Sequence, residues 1–486
     1  MSKNDSQITL TVSQQKVLDQ LKDFVFNSKD RVFILKGYAG TGKTTITKKF
    51  IDELAKKEKS YKLCASTGRA AKILADVAGE QTSTIHGMLY TYRDFNEDLD
   101  KIVDEREKGV EHDGQLYLMF SLNSAMSGSS ETVYIIDESS MIGDVAEKDI
   151  SQAVFGSGRL LSDLMKYDIN GKFIFIGDGC QLPPIVQPLS PALSESYFEQ
   201  TFGLKPQSAA LTEIMRQKGG NDIIEKSVEI REAYDEAPVD ASVYPVGRNV
   251  WKRIGWRNCQ NIQIVPNQNS LLEMYVERIS GFDYDKATYI TNSNTKCSKI
   301  SQMIRRKLGF ATDLEVNDLL LVTQNNLVSG LMNGDLVKVI SVGGRIQRAG
   351  LTFVRVQVEN LSSGRTYEQL MILDILYGKS TNLEKVQQNE LYIDYAIRMK
   401  EKKVFQKSPT FKDEMRKDPY LNALRCVYGY ALTCHKTQGG EWDEVFLEPA
   451  RNIMLNPVKA NYQWLYTAMT RAKKYLYLAD EFYIGS

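Results

Sequence analysis

Apolar residues in the first part of the chain come in short, dense runs. "RVFILKG" (31–37), "YKLCAST" (61–67), "TVYIIDE" (132–138) and "KFIFIGD" (172–178) each end in small or polar residues, and helical texture follows. Buried strands alternating with helices predict an α/β, doubly wound parallel sheet, and such sheets gather their chemistry at the carboxyl ends of the strands. A second α/β unit begins near 211, with "ATYITNSN" (287–294), "VFLEP" and "YLYLAD" among its strands. Between them the texture changes. "DLLLVTQNN", "GDLVKVISV", "LTFVRVQVEN" and "RTYEQLMIL" are β-branched runs broken by Gly, Asn and Ser, the pattern of a small antiparallel barrel. Residues 90–131 also interrupt the rhythm. The stretch 94–113 carries nine acids and three bases, and "QLYLMFSLN" (115–123) alternates like a strand. That reads as an inserted subdomain built on a hairpin, with a solvated charged loop as the alternative. The expected organisation is one α/β unit over 1–89 and 132–210, an insertion at 90–131, a second α/β unit over 211–317 and 425–486, and a β-rich insertion at 318–424.

Composition narrows the classes. At about 150 residues per domain, 486 residues imply roughly three domains. Sixty-one basic residues balance sixty-one acidic ones. That argues against holding nucleic acid by bulk charge alone and leaves room for a local basic groove. The basic stretch 398–417, with eight Lys and Arg against three acids, is read either as a solvated helix or as a nucleic-acid contact. Six cysteines without a CxxC pair or a His at zinc spacing read as scattered reduced thiols. "MSKNDSQITL" has no signal pattern, and no run approaches the ~18 apolar residues of a membrane helix, so a soluble cytoplasmic protein with no membrane partner is expected.

The candidate chemistry begins at "GYAGTGKTT" (37–45), which fits GxxxxGK[ST] between a strand and a helix. Gly37, Gly40 and Gly42 let backbone N–H groups turn toward phosphate oxygens. Lys43 reaches the β- and γ-phosphates, and Thr44 holds a magnesium ion. At the end of "VYIIDESSM" (133–141), Asp137 is placed to hold that magnesium and Glu138 to polarise the attacking water. In "IGDGCQLPP" (176–184), Asp178 is a turn residue by default. Gln181 senses a γ-phosphate without burying a charge. Phosphoryl transfer also needs fixed positive charge, and Arg216 and Arg471 are the downstream candidates. If both reach the nucleotide, the second α/β unit closes over the first. No second GxxxxGK[ST] occurs, so one ATP binds per chain. In "YALTCHKTQGGEWDEVFL" (430–447), Thr433, His435 and Lys436 offer donors to phosphates or a face to a base, and Gln438, Gly439 and Glu441 approach the nucleotide. "TSTIHGML" (82–89) puts His86 in a similar threonine-rich setting, against the simpler reading of a satisfied turn histidine.

Taken in order, these segments resemble superfamily 1 helicases, in the 5′→3′ branch of RecD-like and Dda-like enzymes. "LTVSQQ" resembles the adenine-reading motif, with Gln14 or Gln15 as the reader. "GYAGTGKTT" resembles motif I, "CASTGRAAKIL" motif Ia, "STIHGML" the motif after it and "IIDESSM" motif II. "GDGCQLPP" resembles motif III, "LTEIMRQ" motif IV, "TCHKTQGGEWDEVFL" motif V and "WLYTAMTRAKKYLYL" motif VI. Tyr38 stands where relatives have Pro, and "AST" where they often have "APT". The resemblance implies two RecA-like lobes, 1A and 2A, a duplex-splitting 1B pin at 90–131, with Phe120 or Tyr117 as the wedge, and an SH3-like 2B insertion. It implies that Ala39, Thr41 and Thr45 join the nucleotide loop. Single-stranded DNA would touch Thr67, Arg69, Thr84, His86, Asn292, Thr433, His435 and Lys436. The implied activity is an ATP- and Mg2+-dependent DNA helicase acting on single strands and ss/ds junctions as a monomer, with single-strand-binding or replication and repair proteins as partners. The alternatives are a translocase that does not unwind and, from another class, a P-loop kinase, which would have no use for 211–486.

Overall fold

A computed structural model describes residues 10–124, 131–146, 152–185, 187–213, 220–239 and 254–485. Its first lobe is built on a six-stranded sheet. The strand order is Ser83–Thr84, Tyr61–Ala65, Val133–Asp137, Lys172–Gly177, Val32–Gly37 and Gln207–Leu211, all parallel. Lys172–Gly177 is buried at every position, as a strand covered on both faces must be. Two apolar clusters, one on each face, hold the helices to the sheet. The opening helix, Val12–Phe26, starts at a capping box: Thr11 Oγ1 accepts from Gln14 N and Gln14 Oε1 accepts from Thr11 N.

The second lobe repeats the plan with five parallel strands, ordered Ile262–Val265, Ala472–Ala479, Trp442–Leu447, Ala287–Thr291 and Ala431–Thr433. The two sheets are the pair of doubly wound lobes that the strand rhythm predicts. The β-rich insertion is an antiparallel sheet ordered Thr366–Ile372, Leu351–Asn360, Leu336–Arg348, Leu319–Val322 and Cys426–Tyr428. Its two edges meet: Ile372 N donates to Leu424 O at 3.0 Å, and Leu424 N donates to Leu370 O at 2.7 Å. Bulges in Leu336–Arg348 at 339–341 and 342–345 bend the sheet toward that closure. No described helix is long and apolar enough to cross a membrane.

The acid-rich insertion is neither a bare hairpin nor a solvated loop. Tyr90–Phe95 pairs antiparallel with Leu118–Leu122, the helix Leu99–Glu107 lies between them in sequence, and Ala153–Phe155 adds a parallel third strand. Phe120 is stacked on Phe155 at 4.6 Å, so the expected wedge ring is engaged within this sheet. The insertion packs against the helices Lys385–Glu401 and Pro409–Lys417, and the basic stretch 398–417 contributes much of this contact. Lys400 Nζ donates to Asp104 at 2.6 Å and Glu107 at 2.8 Å. Gln406 Oε1 accepts from Leu99 N at 2.5 Å, and its Nε2 donates to Asp94 at 2.7 Å. The exposed ion pairs contribute about 0–1 kcal/mol each. The shared core of Phe95, Leu99, Val103, Tyr392, Tyr395 and Phe411 outweighs them, because each buried side chain of that size is worth about 1.5–3 kcal/mol. Phe95→Ala removes a ring set edge-on to Tyr392 at 4.9 Å. It should lower the unfolding free energy by about 3 kcal/mol, measured by urea denaturation.

Candidate active site and inter-lobe seam

The glycine loop follows Val32–Gly37 and runs into the helix Lys43–Lys56. Gly40 (φ 78°) and Gly42 (φ 85°) occupy the left-handed region, and a Cβ on Gly37 would come within 2.9 Å of the side chains of Lys43 and Thr41. Lys43 Nζ donates to Gly37 O at 2.6 Å and Tyr38 O at 3.0 Å. Thr41 Oγ1 donates to Tyr38 O, and Gln14 Nε2 reaches Thr41 O at 3.2 Å, so Gln14 backs the loop. Gln15 points away and binds Asp19. Thr44 and Thr45 open the helix, with Thr44 exposed.

Two strands away, Asp137 closes Val133–Asp137, and Glu138 follows with a positive φ of 50°. Glu138 N donates to Asp137 Oδ1 at 2.8 Å. Burial, and then the Asp137 charge, push the Glu138 carboxyl up to about 7, against Arg471 and Lys43, which pull it down. Burial likewise raises Asp137, against its hydrogen bond from Glu138 N and the Lys43 charge. Two desolvated carboxylates side by side, together with the exposed hydroxyl of Thr44, offer hard oxygen donors of the kind that suit a magnesium ion.

The second lobe meets this site directly. Along the helix Lys459–Met469 and the turn after it, Gln463, Tyr466, Thr467, Thr470 and Arg471 form one polar stripe at helical spacing. Gln463 Nε2 donates to Gly179 O at 3.3 Å. Tyr466 Oη donates to Asp178 Oδ2 at 2.7 Å. Thr467 Oγ1 accepts from Leu182 N at 2.9 Å. From the motif V loop, Gln438 Nε2 donates to Leu182 O at 3.3 Å. Cys180 and Leu182 belong to the second lobe's apolar core although their strand belongs to the first. Arg471 is 5% exposed and held by Thr467 O, Gly440 O and Thr470 Oγ1, and its charge reaches far enough to pull the Glu138 carboxyl down. Gln181 is buried beside this seam, and its Oε1 has no hydrogen-bond partner. Arg216 lies outside the described residues.

The motif V glycines face the first lobe rather than the glycine loop. Gly439 (φ 74°) abuts Ala70, and a Cβ on Gly440 would come within 2.5–2.7 Å of the Arg69 guanidinium. Arg69, expected on the DNA track, lies in the seam, with its guanidinium 4.6 Å from the centre of the Trp442 ring. A flat, weakly hydrated cation fits between an indole face and a bare backbone. Burial and the neighbouring Arg471 hold its pKa down to about 10, against the pull of Asp335. Glu441 is exposed just before Trp442–Leu447.

Thr67, Thr84 and Thr433 all sit where a parallel strand gives way to a helix. Thr67 caps Gly68–Ala78 and Thr84 caps Ile85–Leu89 through their hydroxyls, whereas Thr433 leads into Cys434–Thr437 without a side-chain cap. Asn292 follows Ala287–Thr291. His86 and His435 are exposed, His86 edge-on to Phe155 at 5.2 Å. Lys436 Nζ donates to Asn333 at 2.7 Å, and Lys72 of the first lobe pairs with Asp335 at 2.6 Å, so one loop of the β-rich insertion touches both lobes beside these strand ends.

Two family models match in tandem: an AAA domain over residues 9–242 and a UvrD-like helicase C-terminal domain over 428–479. Together with a RecD2 relative, these matches make the chain similar to superfamily 1 helicases of the RecD-like kind. An uncharacterized protein, MJ1519 of Methanocaldococcus jannaschii, is 25% identical over 96% of this chain, which spans 38% of that protein's length. The ATP-dependent RecD2 DNA helicase of Deinococcus radiodurans is 28% identical over 44% of this chain and 23% of its own. A Pif1 helicase from Bacteroides, solved with ADP-AlF3 and ssDNA, aligns at 18% identity and a TM-score of 0.47, covering 98% of this chain and 93% of that one. The sequence motifs named Arg471 but missed its neighbours on the stripe. The signal was present: five polar positions recur at helical spacing between Tyr462, Trp464, Leu465, Ala468 and Met469, which are buried.

Gly440→Ala should drive Arg69 off Trp442 and loosen the seam. Small-angle scattering should give the variant a larger radius of gyration than the parent. Gly281→Ala, where a Cβ meets open space, should leave it unchanged.

Proposed function

We propose that this chain is an ATP-driven DNA helicase that moves 5′→3′ along single-stranded DNA and separates the duplex ahead of it. The observation that carries the reading is the seam itself: a glycine phosphate loop and paired carboxylates on one lobe, bonded through Ala39 and residues 178–182 to the helix of the other lobe that leads into the buried Arg471. The family matches and the helicase name of the RecD2 relative support the same activity.

In this reading the loop amides and Lys43 hold the triphosphate, and Lys43 leaves the carbonyls of Gly37 and Tyr38 to do so. Thr44 and Asp137 would hold magnesium, which would supply positive charge against the charge developing on the phosphates. Glu138 takes a proton from the attacking water, Gln181 offers its orphan amide to the γ-phosphate, and Arg471 stabilises the charge that builds there. Arg216 is assigned the same kind of role from its motif. The strand crosses the carboxyl ends of both sheets, over Thr67, Thr84, His86, Asn292, Thr433, His435 and Lys436. Helix N-terminal amides and stacking rings there tolerate any sequence, as a motor requires. Polymer contacts on both lobes let opening and closing alternate the grip. The insertion at 90–131 is the strand-separating element and the β-rich insertion the SH3-like module, and a wedge braced on neighbouring helices pushes without yielding.

Lys43→Ala should abolish ATP turnover while leaving single-stranded DNA binding measurable by fluorescence anisotropy. Full turnover in that variant would overturn the site. Arg471→Ala should cut DNA-stimulated kcat by at least about 10³-fold with nucleotide affinity nearly kept, the scale seen when a cationic finger is removed. On tailed duplexes, strand release should require ATP and a 5′ tail. DNA-stimulated ATPase without strand release would leave a translocase, and preference for a 3′ tail would reverse the polarity.

A further inference from the structure

Tyr466 lies five residues before Arg471 on the same polar stripe and is 1% exposed. Its hydroxyl accepts from Ala39 N, inside the glycine loop, at 3.0 Å and donates to Asp178 Oδ2 at 2.7 Å. The direction of both bonds is fixed by chemistry. The amide can only donate and an ionised carboxylate only accepts, so the single phenolic proton points at Asp178. Asp178 is itself fixed, because its Oδ1 accepts from Cys180 N at 2.9 Å. One oxygen of the second lobe thus ties together the phosphate loop and the segment that carries Gln181. Tyr38, the loop residue before Ala39, is gripped as well. Arg231, on the second-lobe helix Asp222–Glu236, lies 3.7 Å from the centre of its ring, and both Tyr38 and Ala39 pack against the second lobe's core.

We propose that Tyr466 is a positioning residue for hydrolysis, setting the height of the Arg471 helix over the phosphate loop by bonding Ala39 and Asp178 at once. The inference rests on the ATPase reading above and deepens it. The Tyr466 hydroxyl is occupied by Ala39 and Asp178, so it acts through the helix that leads into the arginine. The aromatic Tyr38 gives Arg231 a face on which to make the second attachment. Rotation of the stripe by even part of a turn would move the guanidinium relative to the phosphate loop, because Tyr466 and Arg471 lie on the one helix and its following turn.

The test uses the full chain. Tyr466→Phe keeps the ring and its packing and removes only the two hydrogen bonds. Expected are a fall in poly-dT-stimulated kcat of about tenfold or more, with affinity for a fluorescent non-hydrolysable ATP analogue within about twofold of the parent, since a bond to a charged group is removed from the closed state alone. Asp178→Asn should also slow turnover. The double variant should lose less than the product of the single losses, because the two changes delete one shared bond. Unchanged kcat in Tyr466→Phe, fully multiplicative losses, or a parallel drop in kcat and nucleotide affinity with a lowered Tm would overturn the positioning role. A parent protein with no DNA-stimulated ATPase would instead defeat the functional reading, which separates the two failures.

Discussion

Everything else in this molecule depends on the stitching of one short loop to one helix. Residues 178–182 leave a first-lobe strand and are bonded by Gln463, Tyr466, Thr467 and Gln438 of the second lobe. Each bond is modest, about 0.5–1.5 kcal/mol net, and more where Asp178 is the acceptor. Their effect lies in geometry rather than strength. They fix which face of the Lys459–Met469 helix looks at the phosphate loop, and so place Arg471 where its charge reaches Glu138. Apolar contact through Cys180 and Leu182 adds area to the seam, but area alone would not fix rotation.

The seam also joins opposing tendencies. Arg69 and Arg471 repel across it, while Glu138 and Asp137 share a desolvated pocket with Lys43. Gln181, Gln438 and Gln463 each keep a buried carbonyl oxygen without a partner. Such groups cost about 1–3 kcal/mol apiece when left unpaired. An interface built this way is held closed by a few directed bonds against local electrostatic cost. It suits lobes whose closure must respond to a charged ligand rather than persist without one.

What the sequence disclosed follows the physics of each residue. The glycine loop was legible because Gly37, Gly40 and Gly42 are demanded by crowding and positive φ. The parallel sheets were legible because runs such as "KFIFIGD" are apolar at both parities. The seam contact of Arg69 was not legible because residue type gives charge but not direction. Only the packing of Gly68–Ala78 on Gly440 turns its guanidinium onto Trp442. The basic stretch 398–417 left two readings open, and its partner was the acid-rich segment 94–113 some three hundred positions earlier, a pairing that charge balance hints at and topology decides. Tyr466 was hidden by its own chemistry, since a tyrosine among Trp464, Leu465 and Ala468 reads as core until its hydroxyl partners are known.

The central claim is that hydrolysis takes place between the lobes, with the phosphate cradle on one and the cation on the other. A crystal structure of the full chain with Mg-ADP, aluminium fluoride and a short oligo-dT would test it most directly. The account predicts the Arg471 guanidinium within hydrogen-bond distance of the fluoride plane, with the Tyr466 hydroxyl still joining Ala39 and Asp178. An aluminium fluoride bound by the glycine loop alone, with no atom of the Arg471 guanidinium within hydrogen-bond reach of it, would contradict it.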